Sequence, residues 1–153
     1  YNISLKSKDK KKVGAILVSS IDNRIISTGY NGLPAGINDN IDWTNRELVH
    51  SMIIHAEMNC ILYSNNKFEN SILYCTLSPC KDCIKIIAAA KINTVIYHTK
   101  YRDFDLVQNL ANTMVRLDGY NSDLETGFEP IITAQDTISI PLNSSTRSTF
   151  HVY

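Results

Sequence analysis

The stretch Ser71–Thr99, SILYCTLSPCKDCIKIIAAAKINTVIYHT, decides the fold. Ser71 to Thr76 (SILYCT) is a short apolar run rich in β-formers and reads as a strand. Pro79-Cys80 opens a helix that runs to about Lys91 and carries Ile84, Ile86, Ile87 and the run Ala88-Ala89-Ala90. Proline costs little in a first helical turn, because the N–H it lacks would be unpaired there anyway. Asn93 to Thr99 (NTVIYHT) reads as a second strand. A strand, a helix and a strand in that order predict a right-handed crossover between parallel strands.

Working outward, Val13 to Ser20 and Arg24 to Tyr30 read as strands joined by the turn Ile21-Asp22-Asn23, an antiparallel hairpin. His55 to Asn65 reads as a helix. Phe104 to Leu117 places Leu106, Val107, Leu110, Met114 and Leu117 at helical spacing, with Gly119 as the terminator. Asn31 to Asn45 gathers Gly, Pro, Asn and Asp into a loop longer than a compact domain usually keeps without a function. The order β-β-α-β-α-β-α predicts an α/β protein: a largely parallel sheet, helices on its faces, started by a hairpin.

The chain has 153 residues, 44% of them hydrophobic and 20% charged, which suits a single globular domain and excludes wholesale disorder. Lys plus Arg and Asp plus Glu both number 15, so the basic excess expected of a nucleic-acid wrapper is absent. No apolar run approaches the ~18 residues of a membrane span, so no membrane partner is expected. Tyr1 to Lys12 is polar and lysine-rich and does not read as a secretory signal, although the absence of a starting Met leaves residues before Tyr1 open. The cysteines are Cys60, Cys75, Cys80 and Cys83. A C-x-x-C pair without a secretion signal favours a reducing, cytoplasmic setting and a metal or redox role. Residues 1–120 are expected to form the working domain. Residues 121–153 are a Ser-, Thr-, Asp- and Asn-rich extension of unknown role, with short strands expected at Pro130–Thr133 and Thr137–Ile140.

Two segments carry the chemistry: His55-Ala56-Glu57 and Ser78-Pro79-Cys80-Lys81-Asp82-Cys83. One imidazole and two thiolates suit Zn²⁺, and three protein ligands leave a fourth tetrahedral position open, as in catalytic zinc sites. Water there has its pKa lowered from about 15.7 to about 7, so a nucleophile exists at neutral pH. Cys80 and Cys83, three apart at a helix start, share a face, and the helix N-terminus favours thiolate. Glu57, two residues past His55, is better placed to handle protons than to ligate. A structural zinc site would need a fourth ligand, for which His50 is the nearest spare. A redox C-x-x-C leaves His55-Ala56-Glu57 unexplained.

The H-x-E…P-C-x-x-C pattern is the signature of zinc nucleobase deaminases. Within that group, Lys6 to Leu117 resembles the deoxycytidylate (dCMP) deaminases. The resemblance is carried by Val13-Gly14-Ala15, then Gly29-Tyr30-Asn31-Gly32-Leu33-Pro34-Ala35-Gly36, His55-Ala56-Glu57-Met58-Asn59, Leu77-Ser78-Pro79-Cys80 and Lys100-Tyr101-Arg102-Asp103, in the family's order. It implies a three-layer α/β/α cytidine-deaminase-like fold with a mixed five-stranded sheet. It implies hydrolysis of dCMP to dUMP and ammonia, with zinc on His55, Cys80 and Cys83 and with Glu57 as proton shuttle. It implies substrate contacts from Asn31 (to the sugar 3′-hydroxyl), Ser78, Tyr101 and Arg102, the last also fitting a phosphate by its bidentate guanidinium. It implies dCTP with Mg²⁺ as activator and dTTP as inhibitor, bound at Gly29, Tyr30, Gly32, Pro34 and Gly36, and a homo-oligomer, often a hexamer. The competing readings are an enzyme that also takes dCTP, a zinc-fold regulator without turnover, and a polynucleotide-editing deaminase. The intact Glu57 argues against the second, and zero net charge with the G-Y-N-G-x-P-x-G loop against the third. Asn31 also suits a turn. Lys6, Lys8, Lys10, Lys11 and Lys12 read first as a solvated approach to the opening strand; the alternative, which the resemblance implies, is a share in the phosphate site, because the family sometimes uses a basic residue just before Val13-Gly14-Ala15. Cys60 and Cys75 read as buried apolar residues. His50, His98 and His151 carry no partner pattern.

Overall fold

The structure is a computed structural model that describes residues 1–112, 114–121 and 129–130. The strand expected at Thr137–Ile140, His151 and most of the extension therefore lie outside the described residues.

The hairpin forms from β1 (Gly14–Ser19) and β2 (Ile25–Tyr30), antiparallel, with Asn23 at φ 59 in the turn. β1 also pairs antiparallel with β3 (Ser71–Leu77), and so lies inside the sheet, buried along almost its whole length. From β3 the chain crosses over through α3 (Lys81–Ala89) to β4 (Thr94–Thr99), which runs parallel to β3. The sheet order is β2-β1-β3-β4-β5-β6, where β5 is Arg116–Asn121 and β6 is Glu129–Pro130. α1 (Arg46–Met52) and α2 (Ala56–Leu62) lie between β2 and β3 in the chain. The core on one side of the sheet joins Ala15, Leu17, Leu73 and Val95 to Ala56, Cys60, Cys83, Ile84, Ile87, Val107 and Ala111. Gly29 allows α2 to lie directly on β2, since a Cβ there would stand 2.2 Å from the Ala56 carbonyl oxygen and 2.4 Å from the Cys60 nitrogen. Cys60 and Cys75 are buried as expected, and burial raises both thiols above their ordinary range.

One element differs from expectation. The helix starting at Phe104 stops at Ala111 (α4, Phe104–Ala111), and Arg116–Asn121 forms β5, parallel to β4. Helical spacing at Leu106, Leu110 and Met114 is misleading, because all three are solvent-exposed. The break falls at Asn112, whose φ of 34 cannot continue a right-handed helix. Val115 is buried, the Arg116 N–H donates to the Asn93 carbonyl at 2.8 Å, and Gly119 lies inside the strand opposite Tyr97 instead of ending a helix. β5 supplies the fifth long strand of the expected mixed sheet. A two-residue strand, β6 (Glu129–Pro130), adds antiparallel to it and overlaps the start of the strand expected at Pro130. α1 lies in a segment without a sequence assignment, although its N-cap was readable: the Asn45 side chain accepts from the Leu48 N–H at 3.1 Å.

Candidate active site

Both chemistry-bearing segments end at helix starts. His55 is the N-cap of α2 and Cys80 the N-cap of α3, both in extended backbone, and the Cys80 side chain turns back over its helix end. Pro79 is fully buried and fixes the approach of the chain to α3. The His55 Nδ1 lies 3.5 Å from the Cys80 Sγ and 3.3 Å from the Cys83 Sγ, and the three ligand atoms lie within 4.8 Å of one another. Zinc bonds of ~2.3 Å to sulfur and ~2.0–2.1 Å to nitrogen at tetrahedral angles put N and S about 3.5 Å apart, so the cluster has the dimensions of a zinc site. The Cys80 Sγ also accepts from the Cys83 N–H at 3.5 Å. Cys80 is held down to about 4 by the hydrogen bond from the Cys83 thiol, against its burial and with help from His55 and helix N–H groups. Cys83, the donor of that bond and buried, is pushed up. His55 is raised by its hydrogen bond to Cys80, with burial opposing. His50 takes no part in the cluster; its Nε2 lies 3.1 Å from a guanidinium nitrogen of Arg46.

Glu57 is 4% exposed, in the first turn of α2. Burial pushes its carboxyl up to about 7, with the backbone N–H of Glu57 and the His55 charge opposing. A carboxyl poised there both accepts and gives up a proton near neutral pH, the property that proton shuttling needs.

A cavity of about 370 Å³ opens onto this cluster, within the range of small-molecule sites. His55, Glu57 and Cys80 line it together with Asn31, Ser78, Tyr101 and Arg102, so the expected ligand and substrate residues converge, with Cys83 just behind. The Ser78 hydroxyl is buried and accepts from the Tyr101 N–H at 2.7 Å, so it ties the loop after β4 to the end of β3. Arg102 extends outward, with its side chain 75% exposed. Of the expected effector residues, Gly29 is held under α2, Tyr30 ends β2, and Gly32, Pro34 and Gly36 lie along the loop that follows; none of them lines this cavity. Gly36 takes φ 88, the one conformation here that calls for glycine.

The cavity also gathers residues that spacing did not indicate: Asp9, Lys11, Arg46 and His50. Asp9 is 2% exposed and accepts from Arg46 at 2.7 Å, from the Asn31 amide at 3.2 Å and from the Lys11 N–H at 3.3 Å. Burial alone would raise its pKa, but Arg46 foremost, with the backbone N–H groups of Lys11 and Lys10, holds it below the ordinary carboxylate value. Lys11, read from sequence as a solvated lysine, sets its Nζ 4.7 Å over the Tyr101 ring. The available signal was weak: Asp9 is the one acidic residue in a lysine run, and Arg46 follows a helix cap.

Comparison with known proteins gives one consistent result. The family model of the cytidine and deoxycytidylate deaminase zinc-binding region matches residues 2–99. The human deoxycytidylate deaminase is 36% identical over 126 residues, 72% of this chain and 70% of that protein. The crystal structure of the dCMP deaminase from cyanophage S-TIM5 in its apo form superposes with a TM-score of 0.61 at 34% identity, covering 77% of this chain and 88% of that one. The structure of the same phage enzyme in complex with dCMP and dUMP gives a TM-score of 0.61 at 32% identity, over 77% and 86% of the two chains.

Proposed function

We propose that this chain, which belongs to the cytidine and deoxycytidylate deaminase family, is a dCMP deaminase that hydrolyses dCMP to dUMP and ammonia. The observation that carries the reading is the buried Glu57 beside the His55–Cys80–Cys83 cluster in one nucleotide-sized cavity. His55, Cys80 and Cys83 would hold zinc, which when bound supplies a water activated at neutral pH. Glu57 is the group that moves protons. It takes one proton from the attacking water and gives it to cytosine N3, then carries the proton of the new C4 hydroxyl to the C4 amino group, so that the C4–N bond breaks, ammonia leaves neutral and the C4 oxygen becomes the carbonyl of dUMP. Asn31 receives the sugar. Ser78 holds the Tyr101 loop beside the substrate, and Arg102 and Tyr101 stand toward the phosphate.

The finer parts of the reading rest on the family resemblance. dCTP with Mg²⁺ would activate and dTTP would inhibit, through Gly29, Tyr30, Gly32, Pro34 and Gly36. The protein would act as a homo-oligomer, a hexamer in the family's common form. Thiolate ligands suit the reducing cytoplasm, and among the described residues no helix is long and apolar enough to cross a membrane. Residues 1–120 would be the catalytic unit and 121–153 an extension.

The test is ammonia release from cytosine, cytidine, deoxycytidine, CMP, dCMP, dCTP and a short single-stranded DNA. dCMP is expected to give the highest kcat/KM. Equal use of dCTP would widen the substrate class, and a preference for the single strand would replace the reading by nucleic-acid editing.

A further inference from the structure

Asn31 is bonded more completely than a residue waiting for a sugar needs to be. Its Oδ1 accepts from the Val13 N–H at 2.8 Å, and its Nδ2 donates to the Lys11 carbonyl at 2.8 Å and to Asp9 at 3.2 Å. Both amide hydrogens are therefore used, and what remains is a lone pair on Oδ1. An amide fixed this way accepts from a hydroxyl and cannot donate. Asp9 is the side chain that helps these backbone groups keep it fixed, together with the Ser7 hydroxyl, which accepts from the Asp9 N–H and donates to the Asn31 carbonyl.

The other oxygen of Asp9 accepts from Arg46 at 2.7 Å, across 37 residues of sequence. A second Arg46 nitrogen lies 3.1 Å from His50. The guanidinium has five N–H donors, so several remain after these contacts, and the Arg46 side chain, 38% exposed, is open to the cavity. Arg46 is thus a planar cation already oriented before any ligand arrives, the form of arginine that suits bidentate phosphate recognition. Lys11 adds a second cation at the same wall. Asp9 offsets part of the Arg46 charge while leaving its other N–H groups open; of the other acidic groups lining the cavity, Asp82 pairs with Lys85 at 2.9 Å, Asp103 is 3.9 Å from Arg102, and Glu57 stands at the His55–Cys80–Cys83 end.

We propose that Asp9 is a positioning residue for the nucleotide. Its single buried carboxylate holds the Asn31 amide and the Arg46 guanidinium in fixed relation, with Asn31 accepting from the sugar and Arg46 reading the 5′-phosphomonoester. This rests on the dCMP reading and adds to it which residues measure the distance from sugar to phosphate. Arg46 touches the substrate; Asp9 acts through Arg46 and Asn31.

The test uses full-length Asp9→Asn, Arg46→Gln and the double variant, each checked for zinc content and a cooperative melt. Asp9→Asn keeps the size of the side chain but sets an amide donor against a donor. Steady-state rates on dCMP and deoxycytidine are expected to show KM for dCMP raised about tenfold or more, with kcat moved less, and the dCMP-to-deoxycytidine ratio of kcat/KM reduced about tenfold in both single variants. The double variant should lose no more of that ratio than Arg46→Gln alone, because Asp9 works through Arg46. A ratio within about twofold of wild type in Arg46→Gln, or a double variant in which the two losses multiply, overturns the proposal. If Asp9→Asn does not fold, Arg46→Gln and Arg46→Lys decide it, with partial rescue by Lys expected. Calorimetry with dUMP and deoxyuridine separates this proposal from the assignment of activity. Should the wild type release no ammonia from dCMP, a preference for dUMP that falls in the variants still upholds the phosphate reader, and a wild type that binds both alike overturns it.

Discussion

Glu57 and Asp9 are both buried carboxyls on one cavity, 4% and 2% exposed, yet they are shifted in opposite directions. Burial penalises the charge of each. Around Glu57 that penalty wins, and the carboxyl rises to about 7. Around Asp9 the Arg46 guanidinium and the backbone N–H groups of Lys11 and Lys10 reverse it, and the carboxyl is lowered. The difference separates two kinds of work. A group short of donors keeps a proton that it can exchange; a group saturated with donors keeps a charge that holds its neighbours still.

The largest effect should come from the metal cluster on which Glu57 depends. Cys83→Ala removes one of three ligands, and metal analysis should fall from about one zinc per chain to a small fraction, with deamination below detection. Full zinc in Cys83→Ala, Cys80→Ala and His55→Ala would dissolve the cluster. Next in size is Glu57→Gln, which retains shape, zinc and dUMP binding but cannot shuttle protons. Its kcat should fall by about 10²–10⁴ or more, since one carboxyl serves several transfers. Near-normal kcat would remove Glu57 from the chemistry and leave its burial without a purpose.

The metal end of the cavity was readable because its parts are local. His55-Ala56-Glu57 and Cys80–Cys83 each span one helix start, so spacing alone predicts what shares a face. The Asp9 end was not, because Asp9, Asn31 and Arg46 lie on three separate segments and meet only when the sheet has formed. The same distinction divides the fold. β1 to β4, α2 and α3 carry their pattern within themselves. Spacing alone reads the start of β5 as the end of a helix, because Leu117 fits either period and only pairing with β4 decides between them. The resemblance points Gly29 to an effector, and its position under α2 accounts for the glycine by packing.

The two carboxyls also predict opposite pH behaviour in the stability of the metal-free protein. For Glu57 the folded value is raised, from 4.5 to about 7. Between those values the folded state holds a proton that the unfolded state has lost, so stability falls as pH rises. Glu57→Gln removes that loss. It should stabilise the metal-free protein by about 3 kcal/mol above pH ~7, with the gap closing below pH ~4.5. For Asp9 the folded value is lowered, so its contribution is present above the ordinary carboxylate value and is lost as pH falls through the folded one. The cost of Asp9→Asn should therefore be full at neutral pH and shrink only in acid. Denaturant melts from about pH 2 to 8 test both. Parallel pH curves for the two variants would mean that the environments do not differ as described.

The smallest effect is expected at Arg102, which resemblance selects for the phosphate and geometry makes the weaker reader. Its side chain is 75% exposed, and its carboxylate neighbour, Asp103, is 3.9 Å away, too long for a direct hydrogen bond. An exposed cation must give up solvent and side-chain freedom when it meets a phosphate, and salt screens what it gains, so exposed pairs are worth about 0–1 kcal/mol. Arg46 is already held by a buried carboxylate and has less freedom left to lose. Arg102→Ala should accordingly lower kcat/KM for dCMP by about two- to fivefold at low salt. The loss should fade as ionic strength rises, because the Debye length falls to ~8 Å by 0.15 M. The loss from Arg46→Gln should be larger and less sensitive to salt. Rates on dCMP across a salt series rank the two arginines directly. If Arg102→Ala costs more than Arg46→Gln, and keeps that cost in salt, the loop after β4 closes on the phosphate during turnover, and the prearranged Asp9–Arg46 pair is not its main reader.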